Sequence, residues 1–323
     1  MQTVRTSLIT RSGLVAAATN VLRILLLAAS VLCFFALWFF NPQAGRSLLV
    51  LIPLAALASF ANARASLIPW SIYILGFLIF VDLRMISAEL FFPARFDYVI
   101  LMERTVFFGM IPSEVLQDAW YVLGRTSLLD RALITVHFSF FLVPHVAAVW
   151  LWTCHRTLFR RYVYALVATC WAGLVLAFVL PTAPPWLAAG TERIPHVYRV
   201  VQDVMMRATP ETYTAGLRAV GDNDAAAMPS LHTALTVLVA LAAARIGGWA
   251  GLAGWTYAGI MALALVYLGE HYVVDIVAGF ALALLFWSLM DRLAPAHGGS
   301  SWRQLRFRSV RRIADRQRTP PTR

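Results

Sequence analysis

The sequence predicts an all-α, polytopic membrane helix bundle of about eight spans, and three observations lead there. Only 13% of the 323 residues are charged and 60% are hydrophobic, with a mean hydropathy of +0.71, whereas a soluble domain carries about 25% charged residues. The apolar residues come in blocks of the length, about 20 residues, that a helix needs to cross a bilayer. The Lys-plus-Arg complement is entirely Arg, and it collects in short connections and in the C-terminal tail. That placement follows the positive-inside rule, so the net charge of +11 points to membrane orientation and not to nucleic acid.

Eight candidate spans fall near 20–40, 47–63, 67–87, 132–152, 161–181, 231–247, 250–268 and 272–290. The first is long, ends in the bulky run Phe34 to Phe40 and has no small-residue cleavage site, so it reads as a retained anchor and not a signal peptide. Arg5, Arg11, Arg156, Arg160, Arg161, Arg245 and the tail arginines all fall on one side if the eight spans alternate. That side is expected to be cytoplasmic and to hold both termini, in the plasma membrane of a bacterium. The longer connections near 88–131 and 182–230 then lie on the outer face and read as interfacial helices and loops that cap a site. The chain divides into N-terminal spans and an outer segment (1–130), a catalytic membrane core (131–291) and a basic cytoplasmic tail (292–323) suited to anionic lipid head groups. Cys33, Cys154 and Cys170 lie in or beside spans, form no disulfide framework and read as buried thiols.

Polar residues inside a membrane are costly and therefore informative. One cluster, Asp222-Asn223-Asp224 followed by Pro229-Ser230-Leu231-His232, opens the sixth span. The amides of a helix start, the Ser230 hydroxyl and the positive end of the helix dipole make a seat for a phosphate within reach of His232. A second cluster, Gly269-Glu270-His271-Tyr272-Val273-Val274-Asp275, opens the last span. The i, i+4 spacing of His271 and Asp275 places them on one face of a helix, where the carboxylate fixes the tautomer of the imidazole. Alternating topology brings both clusters to the outer surface. Two histidines, one oriented by a carboxylate, suit a covalent phosphohistidine route in which one attacks phosphorus and the other handles protons. His137 and His145 fall within the fourth span and read as interhelical hydrogen-bonding residues, with His196 a minor candidate for substrate contact.

Pro229-Ser230-Leu231-His232 followed by His271-x-x-x-Asp275 resembles the type 2 phosphatidic acid phosphatase superfamily, whose motifs read Pro-Ser-x-His and Ser-Arg-(five residues)-His-(three residues)-Asp. The wording of 226–232 and 267–275, with Pro181-Thr182-Ala183-Pro184-Pro185-Trp186, is similar to the inositolphosphoryl-ceramide synthase branch, and His-Tyr-x-x-Asp also resembles the sphingomyelin synthases. The resemblance covers roughly residues 130–290 and implies a six-helix core. It further implies His271 as nucleophile, Asp275 as its orienting partner, His232 as acid/base, and neither metal nor cofactor. The substrates implied are a phospholipid or lipid phosphate, with an alcohol or water as acceptor.

Two departures stand out. The superfamily's first motif begins with Lys and ends in Arg-Pro, whereas 181–186 carries no charge, and the Arg expected six residues before His271 is Leu265. Outer-loop arginines are then the candidates for the phosphate clamp, with Arg199 and Arg218 preferred over Arg104, Arg125, Arg193 and Arg207. Loss of the usual clamp favours head-group transfer over simple hydrolysis. Two other classes use the same residues. One is a metal-dependent hydrolase holding an ion with Glu270, His271, Asp275 and His232, and the other a transporter whose polar helix ends line a pathway.

Overall fold

The computed structural model describes residues 64–91, 93–220 and 226–293. The first two expected spans, Cys33, the Asp222-Asn223-Asp224 cluster and the arginine-rich tail lie outside the described residues. Residues 1–290 form one compact unit and 291–323 a second, of which 291–293 are described. Among the described residues every regular element is a helix.

The bundle is built from α1 (Arg64–Phe91), α4 (Leu128–Ser139), α5 (Val143–Cys154), α6 (Arg156–Val179), α10 (Leu231–Ala244), α11 (Gly248–Tyr267) and α12 (Val273–Leu293). Helices α6, α11 and α12 are each long and apolar enough to cross a membrane, and α4 with α5 makes a fourth such span bent by 51°. The sequence had suggested one straight span at 132–152. It breaks because residues 140–142 turn and Pro144 stands in the first turn of α5, where its missing amide starts a helix but cannot continue one. At the other end α4 is set by a full capping box, Ser127 with Asp130. Cys154, the last residue of α5, is exposed, not buried as expected of a structural thiol, while Cys170 in α6 is buried.

Helices α1, α5, α6 and α10 share the main apolar core around Phe159, Tyr162, Leu166, Leu235 and Leu238. Two aromatic side chains there find backbone partners: Tyr162 Oη donates to Pro144 O (2.9 Å) and Trp171 Nε1 to Gly76 O (3.0 Å). Helices α10 and α11 form a hairpin sealed by small residues. A methyl group on Gly251 would lie 2.9 Å from Ala244 Cα, and one on Gly254 2.8 Å from Ala240 Cα. At 14 residues, α10 is shorter than the 231–247 span expected. It runs about 21 Å, less than the ~30 Å of a hydrocarbon core, because Ser230 caps its start and the chain turns at Arg245–Gly247 into α11.

The first long connection contains α2 (Asp97–Val106) and α3 (Pro112–Trp120), and the second α7 (Pro185–Gly190), α8 (Val200–Ala208) and α9 (Pro210–Val220). Two small apolar clusters dock these helices on the ends of the bundle. One joins Val200, Val201 and Val204 to Tyr267 and Leu268, and the other joins Val99, Ile100 and Ile111 to Met228, Tyr272 and Val274. Both reach the segments that carry the sequence motifs.

The start of α10 rests directly on α12. Ser230 N donates to Asp275 O (3.0 Å), and one turn on, a Cβ at Gly279 would lie 2.2 Å from Ser230 O. Backbone is the obstacle, so Gly279→Ala is expected to push the two helix starts apart at a cost of about 1–3 kcal/mol. A clear drop in melting temperature of the detergent-purified protein checks this. The control Gly259→Ala, which meets nothing within 4 Å, should leave it unchanged or slightly raised.

Candidate active site

The three motif segments are stitched together by backbone. Thr182 pairs with Arg95 on one side and Ala226 on the other, through Arg95 N to Pro181 O (2.8 Å), Ala183 N to Arg95 O (3.0 Å) and Ala227 N to Thr182 O (3.0 Å). The buried Thr182 hydroxyl also meets Tyr98 Oη. Four residues on, Trp186 N donates to Gly269 O (3.2 Å), which joins Pro181–Trp186 to the turn before His271. That turn needs its glycine: Gly269 has φ +76°, and a side chain there would meet Tyr198 O at 2.6 Å.

The two motif histidines, 39 positions apart, come together with His232 Nδ1 3.2 Å from His271 Nε2. On its far side, His271 Nδ1 lies 3.5 Å from Asp275 Oδ2. His271 does not share a helical face with Asp275 as expected. It precedes α12, which begins at Val273, and a turn delivers it to the carboxylate. The local reason is that Asp275 is the third residue of α12 and its Oδ2 accepts from Tyr272 N (2.9 Å), the backbone half of a capping box. One carboxylate therefore fixes the entry of the helix and backs the imidazole. Asp275 and His271 are buried, while His232 is partly exposed.

Ser230 is fully buried as the N-cap of α10. Its Oγ accepts from Thr233 N (3.3 Å) and from Thr233 Oγ1 (3.2 Å), so Pro229 stands outside the helix and not in its first turn. His145 bonds Tyr73 across helices, as expected of a span histidine. His137, in the last turn of α4, does not: its ring centroid lies 5.0 Å from that of His232, and its buried Nδ1 has no hydrogen-bond partner among the described residues.

Three buried polar side chains that the sequence did not single out hold the surroundings. Glu103 of α2, fully buried, accepts Val273 N on Oε1 (2.9 Å) and Val274 N on Oε2 (3.1 Å), so it caps the helix that carries Asp275. Gln117 of α3 donates through Nε2 to Tyr198 O (2.9 Å) and Tyr267 O (2.8 Å) and accepts Tyr198 N on Oε1 (2.8 Å). Asp130 of α4 accepts Tyr267 Oη (2.5 Å) and Ser127 N (2.6 Å). Each ties a connecting segment to the ends of α11 or α12. The only advance sign of Glu103 and Gln117 is a polar residue on the apolar side of a short amphipathic helix.

The candidate cations separate by position. Arg199 pairs with Glu270, the neighbour of His271, with Nε 3.1 Å from Oε1, and its guanidinium lies 4.4 Å from the centre of the Trp186 ring. Arg193 pairs with Asp97 (2.6 Å), and Arg207 pairs with Asp203 (2.8 Å) and donates to Arg125 O (3.3 Å). His196 meets Asp118 (3.4 Å) at the surface. The side chain of Arg218, in α9, lies outside the described residues. Arg84 of α1, unremarked in the sequence, is close enough for its charge to act on His232. Leu265, at the place of the superfamily arginine, is fully buried, and its carbonyl accepts Glu270 N (3.0 Å) and His271 N (3.3 Å). Glu270 faces Arg199, and among the described residues no group of three or more His, Cys, Asp or Glu is arranged to hold a metal ion.

Apolar helices of membrane-crossing length, with two histidines brought together at their polar ends, are those of an integral membrane protein. A family model described as the PAP2 superfamily matches residues 98–289, and the chain belongs to that superfamily, whose members are generally phosphatases or phosphotransferases. No curated protein and no solved structure matches the chain.

Burial raises the Glu103 carboxyl above its ordinary value, against the pull of the Val273 and Val274 amides, and the Asp275 charge adds to the rise. A raised carboxyl favours the folded state at low pH, and that contribution is lost as pH rises through the folded value. The ionised form is nevertheless the better cap for α12. Between the ordinary and the raised value, acidification should therefore reduce turnover without lowering the melting temperature. Glu103→Gln should remove this dependence of stability on pH, and Glu103→Ala, which strips two amides of their acceptor, should cost about 1–3 kcal/mol. Melting curves and rates across pH 4 to 7 check both.

Proposed function

We propose that the protein moves a phosphorylated head group between a lipid and an alcohol through a phosphohistidine on His271. Hydrolysis is the same chemistry with water as acceptor. The observation that carries this reading is the 3.2 Å contact between His232 Nδ1 and His271 Nε2, with Asp275 3.5 Å behind His271 Nδ1.

The partners of the two rings are unequal, and that assigns their roles. A carboxylate beside His271 Nδ1 favours the tautomer with its proton there, which leaves the lone pair on Nε2. The contact with His232 then requires the proton on His232 Nδ1. Among the described residues His232 has no carboxylate partner; its ring packs against Phe140, at 4.2 Å between centroids, and His137. His271 is the better nucleophile and His232 the better proton donor. As the Nε2–P bond forms and the P–O bond to the leaving group breaks, His232, which enters this step as the imidazolium, passes one proton to the leaving oxygen and is left neutral. In the second half an acceptor hydroxyl gives its proton to His232, its oxygen bonds phosphorus and the N–P bond breaks.

Arg199 is the cation best placed for the phosphate, because its partner Glu270 adjoins His271 and an incoming anion would compete with that carboxylate. Ser230, by shaping the start of α10, and Arg218 remain candidates from their sequence positions. The absence of charge in Pro181–Trp186 and the buried Leu265 support head-group transfer of the inositolphosphoryl-ceramide synthase type over plain phosphate release. The arginine distribution supports a site open to the outer leaflet, with both termini cytoplasmic and the basic tail on anionic lipid.

Incubation of the detergent-purified protein with ³²P-labelled phosphatidic acid or phosphatidylinositol, followed by alkaline quench, should leave acid-labile label on the chain. His271→Ala should abolish the label, and His232→Ala should lower turnover by about 10²–10⁴-fold. Asp275→Asn should lower turnover by up to ~10⁴-fold, since it perturbs the tautomer. Free phosphate as the product whatever lipid alcohol is supplied would replace transfer by hydrolysis, and an unlabelled wild-type chain would remove the phosphohistidine route. Arg199→Gln is expected to raise KM at least tenfold, read from initial rates.

A further inference from the structure

Asp275 orients His271, but the second catalytic ring has no carboxylate behind it, and two observations show what stands there. His137 is nine-tenths buried, with 8% exposure, and its Nδ1 is sealed from solvent with no hydrogen-bond partner among the described residues. A buried ring nitrogen without a partner costs free energy that Phe or Leu would avoid at the same position. Its ring packs against His232, the centroids 5.0 Å apart with planes inclined by 42°, and Phe140 packs against the same ring at 4.2 Å and 49°. Both residues come from the end of α4, His137 in its last turn and Phe140 as its C-cap, just before the 51° break into α5.

Resting on the paired-histidine reading above, we propose that His137 is the positioning residue of His232, the counterpart of Asp275 for His271, and that with Phe140 it keeps His232 turned toward the leaving oxygen as the proton donor. The need arises once substrate enters. A phosphoryl group received between the two catalytic rings replaces the His232–His271 contact that orients His232 in the free protein. From then on the ring is held only from the side of α4. An imidazole in that place supplies a polar ring edge as well as a wall, which explains why a nitrogen is kept where a hydrocarbon would pack at lower cost. The charged and titratable groups that face this corner are His271, Glu270, Arg199 and, through His232, Arg84. Among the described residues none of these is a carboxylate in hydrogen-bonding contact with His232, so no other described group takes the part of Asp275 for this ring.

A residue that acts through the proton donor has a signature that general damage does not. An alkyl leaving group needs a proton as the P–O bond breaks, whereas a nitrophenolate leaves without one. The test compares the rate of labelling of His271 in the full-length protein by the lipid ester (³²P-phosphatidic acid or phosphatidylinositol) and by the nitrophenyl ester of the same phosphoryl group. For His137→Phe the expected result is a loss of about 30-fold or more in kcat on the lipid ester with KM within twofold, and a loss below about threefold on the nitrophenyl ester. His137→Gln, which restores a polar edge, should recover most of the lipid-ester rate. Equal losses on both esters, a change confined to KM, or no loss on either would overturn the assignment, and Gln serves as the folded comparison if Phe is not tolerated. The underlying reading fails separately: if wild-type chain takes no label from any ester, the phosphohistidine route itself is wrong, whereas a labelled wild type with equal losses discards His137 alone.

Discussion

The site depends on one close crossing of backbones. Ser230 N reaches the carbonyl of Asp275, and the next turn of α12 must be Gly279 because the Ser230 carbonyl occupies the space of a side chain. Helix starts expose unpaired amides, and two starts brought this close must satisfy them from each other or from neighbours. Here they do both. Ser230 serves its own helix through Thr233, and Asp275 serves its own through Tyr272. The remaining amides of α12, at Val273 and Val274, go to Glu103. His232 and His271 face each other because the helix starts that carry them cannot be moved apart without stranding these groups.

The connecting segments follow from the same requirement. A membrane protein can leave apolar side chains toward lipid, but buried backbone polar groups need partners. Glu103, Gln117 and Asp130 each enter from a different helix and meet backbone or hydroxyl groups at the ends of α11 and α12. The apolar packing of Val200 and Val204 on one side and Val99 and Tyr272 on the other then excludes water from those bonds. The caps and the site form one polar layer on an apolar bundle.

Pro181–Trp186 lies uncharged against Gly269, and Leu265 is buried. The nearby cation, Arg199, is already matched by Glu270 and stacked on Trp186.

Much of this was legible in one dimension. Apolar block length and arginine placement pointed to the helical membrane class, and the Pro-Ser-x-His and His-x-x-x-Asp segments pointed to His232, His271 and Asp275, because chain spacing and helix-start chemistry are local. Local rules also misled. Periodicity cannot see that His271 lies outside α12, that Pro144 and the turn before it bend the fourth span, or that α10 ends at Ala244. Glu103 was invisible because its partners lie 170 and 171 positions away. His137 read as one more interhelical histidine, and only the packing of α4 against the start of α10 sets it beside His232. The sequence by itself determined the solvent, the helices and the residue types of the chemistry, since those follow from composition and short-range spacing. Which carboxylate caps which helix, which arginine pairs beside His271 and which third histidine packs against His232 were decided only by tertiary structure, because each is a contact made across the bundle between residues far apart in the chain.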